Sequence, residues 1–135
     1  MYLTKIEKKV STISSHGVFA LEKIQKGTIV WKYDKNHDKA ITVSEYNSLD
    51  EKEKETLTHV AYLSATSGMY IYPPENDPAR FTNHSTSNNL TVIVDTNISE
   101  EPYFVANRDI DVGEEITNNY MEFDEAIKNN TPEWI

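Results

Sequence analysis

The chain has 135 residues, 13 basic and 22 acidic side chains and no cysteine, for a formal charge of −9. That length reads as one domain over residues 1–135 with a core of its own, and the missing cysteine excludes a disulfide framework and any thiolate zinc site. The negative charge argues against binding to a phosphate backbone; it suits a basic, lysine-rich partner as well as it suits simple solubility.

The first ten residues are mixed and charged, without the apolar stretch of a leader, and no run along the chain is long enough to cross a membrane. A cytoplasmic protein is therefore expected, with export to a host or nuclear action left open. Residues 5–13 mix polar and β-branched side chains. After Ser14-Ser15, a turn signal, residues 17–21 form an apolar run, and residues 28–33 carry Ile29, Val30, Trp31 and Tyr33, all good strand formers.

Helical signals then take over. Thr42-Val43-Ser44-Glu45 and Ser48-Leu49-Asp50-Glu51 both have the form of a capping box. Leu49, Leu57, Val60 and Ala61 can share one stripe, with the charges of residues 50–55 outside. Two short helices, or one bent helix, are expected over about 44–63. Strand signals return at 69–72, where Pro73-Pro74 stops the run, and again at 90–94, 103–106 and 115–119. One helical insert among many short strands predicts a β-rich α+β fold. The four histidines, His16, His37, His59 and His84, show no paired ligand spacing, so no metal site is predicted.

Three segments carry the candidate chemistry. The first is Ser14-Ser15-His16-Gly17-Val18-Phe19-Ala20, where the glycine permits close backbone approach; an ordinary hairpin would look the same. The second is Ala79-Arg80-Phe81-Thr82-Asn83-His84-Ser85. Asparagine offers donors and acceptors and histidine a ring donor, so the segment suits an amine-bearing ligand, and it also suits a plain polar turn. The third runs from Asp111-Val112-Gly113-Glu114 through Glu115-Ile116-Thr117-Asn118-Asn119 to Tyr120. A tyrosine at a strand end is as readily a core residue with a satisfied hydroxyl as a catalytic one.

In this order and spacing the three segments resemble the SET domain, from about residue 5 to residue 120. Arg80-Phe81-Thr82-Asn83-His84-Ser85 is similar to the family's R-F-x-N-H-S signature, and Gly113-Glu114-Glu115-Ile116-Thr117-x-x-Tyr120 to its G-E-E-(L/I)-x-x-x-Y signature. The turn before Val18-Phe19-Ala20 resembles the first cofactor motif, and residues 44–63 fall where the family carries its variable insert. The closest likeness is to minimal, cysteine-free viral and bacterial SET proteins. Small curved sheets around a knot-like core, of the β-clip kind, are what the resemblance implies. It also implies S-adenosylmethionine as cofactor and methyl transfer to lysine in a basic, histone-like protein or peptide.

By the same carry-over Ser15, His16 and Gly17 approach the cofactor's methionine part. Asn83 and His84 hold its amino group and adenine, and Tyr120 stands between the methyl group and the lysine amine. Tyr72, Phe81, Phe104, Asn118 and Phe123 are the expected walls of a lysine channel, and Trp134 or Phe123 the expected cover of the cofactor pocket. Ser15 stands where many relatives carry glycine, and Asn118 where many carry an aromatic that helps set the methyl count. A SET-like module that binds a basic partner with little or no turnover is the alternative, and pairing as a homodimer is left open.

Overall fold

The computed structural model describes residues 1–135. Strands and helices follow in the order β1 (Ile6–Val10), β2 (His16–Ala20), β3 (Ile29–Trp31), β4 (Lys39–Ile41), α1 (Val43–Asn47), α2 (Glu51–Val60), β5 (Tyr62–Leu63) and β6 (Tyr70–Tyr72). A 3-10 turn, Pro78–Phe81, leads to β7 (Asn83–His84), β8 (Leu90–Ile93), β9 (Tyr103–Ala106) and β10 (Glu115–Asn118). A second 3-10 turn, Tyr120–Glu122, and α3 (Glu125–Asn129) end the chain's regular structure. No helix is long and apolar enough to cross a membrane.

Three small sheets result, in the orders β1-β2-β10-β7, β3-β9-β8 and β4-β6-β5. The expected strands all form. Three others had no sequence signal long enough to register. β7 is only Asn83 and His84, and it exists because β10 runs parallel beside it, pairing Thr117 with Asn83 and Asn118 with His84. β4 and β5 are held only as flanks of β6. Buried side chains from all three sheets meet in one core: Val18 and Ile116 from the first, Val30, Leu90 and Phe104 from the second, Ile71 from the third. Ile24 and Ile110, joined by an isolated bridge, close it.

The helical insert is two helices. Thr42 caps α1 through the expected box, its Oγ1 accepting from the Glu45 amide and the Glu45 carboxylate accepting from the Thr42 amide, both at 3.0 Å. The second expected box does not form. Asp50, not Ser48, caps α2, accepting from the Glu53 amide at 2.8 Å, while Ser48 ends α1. Aspartate two residues closer to the helix competes better for the free amides than a serine whose backbone is still helical. Tyr46 of α1 stacks on Tyr70 of β6 at 4.2 Å, so the cap bears on the sheet. Thr42→Ala is expected to cost about 1 kcal/mol, a fall of about 4 °C in Tm by circular dichroism.

The C-terminal stretch 121–135, expected as a tail, folds in part. Asp124 caps α3 by accepting from the Ala126 amide, and Ile127 is buried. Elsewhere the fold gathers His37, Asp38 and Asp77, with ligand-type atoms within 4.8 Å of one another. Histidine spacing could not reveal this group, since its members come from two distant segments. The Met1 ammonium pairs with Asp38 at 2.9 Å, and His37 Nε2 meets Asp77 at 2.7 Å.

Candidate active site

Pairing of β10 with both β2 and β7 builds a polar cradle. Glu115 lies opposite Phe19, so its side chain leans over Gly17 on the same face. Its carboxylate accepts from Ser11 Oγ at 2.6 Å and from Asn83 Nδ2 at 2.7 Å. Asn83 Nδ2 also donates to the His16 carbonyl at 2.8 Å. These bonds fix the amide with its nitrogen inward, and Asn83 Oδ1 makes no hydrogen bond inside the chain. A Cβ on Gly17 would come within 2.7 Å of Glu115 Cδ and 3.0 Å of Asn83 Nδ2. Ser15 stands exposed in the hairpin turn.

Beside the cradle, β10 delivers Tyr120. The Ser85 amide donates to the Asn118 carbonyl at 2.9 Å, and the Tyr120 amide donates to His84 Nδ1 at 3.1 Å. His84 must then be unprotonated at Nδ1, and burial lowers its pKa toward the same neutral state. The Tyr120 hydroxyl donates to the Thr82 carbonyl at 2.6 Å. Its pKa is pushed up to about 12, by burial first and by the charge of Asp124 second. At neutral pH Tyr120 is a phenol, a hydrogen-bond donor with lone pairs to offer, and not a base.

The Tyr120 side chain forms part of the wall of a cavity of about 80 Å³. Its wall is an aromatic cluster: Phe123 stands edge-on to Phe104 at 4.8 Å, to Tyr62 at 5.5 Å and to Tyr120 at 6.1 Å. Tyr72 and Asn118 also line it, with the exposed Thr58 and His59 from the last turn of α2. Asn118 Oδ1 is buried without a hydrogen-bond partner.

Of the expected channel residues, Tyr72, Phe104, Asn118 and Phe123 therefore meet around this cavity. Phe81 does not line it. It packs edge-on to His16 at 5.9 Å, with Lys8 Nζ 4.3 Å from its ring centre. In the tight 3-10 turn neighbouring side chains point about 120° apart, so Arg80 faces the cavity and Phe81 faces β1 and β2. Phe123 belongs to the cavity cluster, not to a cover over the cradle. Trp134, 50% exposed, lies 6.1 Å from the Tyr120 ring and 5.7 Å from His59. Tyr62 and Asp124 also line the cavity and were not foreseen: the first read as the end of a helix, the second as part of a tail.

The family model described as SET domain matches residues 15–121. No curated protein matches. Among solved structures, a Chaetomium thermophilum Polycomb Repressive Complex 2 mutant bound to the inhibitor GSK126 is 22% identical, with a TM-score of 0.67. The match covers 93% of this chain and 16% of that one. The same complex in an autoinhibited conformation bound to S-adenosylmethionine gives 24% identity and a TM-score of 0.66, over 93% and 16% of the two chains. A Plasmodium falciparum protein assigned as a histone methyltransferase is 21% identical, with a TM-score of 0.59, over 87% of this chain and 93% of that one. The chain thus spans about a sixth of the fungal subunit it resembles, and at these identities the likeness speaks for the fold.

Proposed function

This chain belongs to the SET-domain family, and from that premise we propose that it is a protein-lysine methyltransferase that uses S-adenosylmethionine. The observation that carries the reading is the position of Tyr120. Its amide is bonded to His84, one residue from the Asn83 cradle, while its ring lines the aromatic cavity. A donor held in the cradle and an amine threaded through the cavity would meet there.

The residues present fit the cofactor. Its α-ammonium needs acceptors, and Asn83 Oδ1 is free while the Glu115 carboxylate lies on the other side of the same amide. Gly17, lacking a Cβ, leaves the room in which Glu115 and Asn83 take up these positions. When bound, S-adenosylmethionine supplies an electrophilic methyl group on sulfur. The chain's own residues do the rest. His84, neutral, holds the Tyr120 backbone; Asn83 and Gly17 hold and orient; Trp134 covers part of the Tyr120 ring.

The acceptor amine must have a free lone pair. A lysine with a pKa of about 10.4 is neutral in only about one molecule in 2,500 at pH 7, a deficit of roughly 4.6 kcal/mol. An aromatic cavity lowers that deficit by penalising the charged form. The Tyr120 oxygen, its proton committed to Thr82, offers lone pairs that aim an amine along the line of attack. The acidic surface favours a basic protein or peptide as substrate, a histone-like tail among them.

Calorimetric titration of S-adenosylhomocysteine into wild type and Asn83→Ala tests the cofactor half. Saturable binding is expected, weakened at least about tenfold by the loss of hydrogen bonds to a charged group. A folded wild type that gives no heat would sink the enzyme reading for this chain and leave a binding module.

A further inference from the structure

The wall of the aromatic cavity contains one buried acceptor that nothing inside the protein answers and one buried carboxylate that no cation answers. Asn118 is 8% exposed, and its Oδ1 has no hydrogen-bond partner. Asp124 is 5% exposed and is the only carboxylate lining the cavity. The carboxylate accepts through Oδ1 from the Leu63 and Ala126 amides at 3.0 Å each. It forms no ion pair. The one permanent cation in the lining, Arg80, spends its Nε on the carbonyls of Pro73 and Pro74 at 3.1 Å and makes no salt bridge to Asp124.

Backbone amides answer part of the Asp124 carboxylate, but a buried charge without a counter-charge remains costly, and so does an orphaned amide oxygen. Capping α3 explains why an aspartate or asparagine stands at 124, but not why a charge is retained facing an aromatic cavity. We propose that Asp124 and Asn118 form an ammonium subsite that captures the substrate's side chain in its protonated form. This rests on the reading of the cavity as the amine channel and adds the group that selects for charge.

Protonated lysine is the abundant form in solution, so a purely apolar channel would have to wait for the rare neutral one. The subsite accepts what arrives. Three ammonium hydrogens meet two acceptors and leave one donor for the Tyr120 side. Burial raises the proton affinity of Asp124 while it lowers that of the ammonium, so the pair holds the amine without locking the proton on nitrogen.

The probe is n-butylammonium chloride, with 1-butanol as its uncharged counterpart, each titrated while the aromatic NMR signals of Tyr120 and Phe123 are followed. Wild type is expected to give saturable shifts with both. Asp124→Asn keeps the capping oxygen, so it leaves α3 and 1-butanol binding in place and weakens n-butylammonium at least about tenfold. Asn118→Leu, which removes the orphan oxygen from a different strand, is expected to act in the same direction. Equal n-butylammonium affinity in wild type and both variants, or no saturable shift in wild type, overturns the subsite. Ammonium binding without any S-adenosylhomocysteine binding would instead sink the methyltransferase reading and leave the subsite standing.

Discussion

Tyr120→Phe is expected to lower kcat for methyl transfer to mixed histones about 10²- to 10³-fold, the range seen when one aligned polar group is taken from a transition state. Affinity for S-adenosylhomocysteine is expected to change by less than about threefold, because the cradle atoms lie on Asn83, Gly17 and Glu115 and none on the phenol. The split matters more than the size. The hydroxyl is buried and bonded to the Thr82 carbonyl at 2.6 Å, so its loss also leaves that carbonyl short of a donor. The same residue is tied a second time, through Thr82 Oγ1 and the Tyr2 hydroxyl at 2.7 Å, which limits how far the segment can relax. A stability loss of about 1–2 kcal/mol is therefore expected beside the kinetic one. Single-turnover transfer from labelled cofactor separates the two. A variant that folds, binds and turns over at the wild-type rate would remove the hydroxyl from the chemistry.

The parts of this molecule that could be read in advance are those whose signal is local. Val18, Val30, Leu90 and Phe104 sit in short apolar runs, and each became core. The α1 cap was legible because a capping box is completed within four residues. That Asn83, Gly17 and Tyr120 belong to one site was legible only through the likeness of their motifs, since composition and period say nothing of a two-residue strand. What stayed hidden depends on distant partners. β7 exists by grace of β10, more than thirty residues on. Phe81 was drawn to the channel by its neighbours in the motif, yet a 3-10 turn sends adjacent side chains to different faces. Asp124 read as one acid among 22 until Leu63, from β5, bonded to it.

Gly17→Ala tests whether the cradle is as tight as its distances say. Gly17 has an ordinary negative φ, so backbone freedom is not what the position requires; room is. The new methyl group would fall 2.7 Å from Glu115 Cδ, closer than side chains pack, and 3.0 Å from Asn83 Nδ2, tighter than most contacts. A glutamate tip normally swings away at little cost. Here it is pinned by Ser11 at 2.6 Å and Asn83 at 2.7 Å, so yielding breaks charge-assisted hydrogen bonds and frees the Asn83 amide to turn. The variant is expected to lose about 1–3 kcal/mol of stability and at least about tenfold in S-adenosylhomocysteine affinity. If the clash with Glu115 is the cause, adding Glu115→Ala should return part of the stability, with a coupling of about 0.5–3 kcal/mol in the double-mutant cycle. The affinity should not return with it, because the amide of Asn83 would then lack the carboxylate that orients it. Additive stabilities would mean that the clash with Glu115 is not the cause, and recovered binding in the double variant would mean that the His16 carbonyl and Ser11 orient Asn83 without the carboxylate.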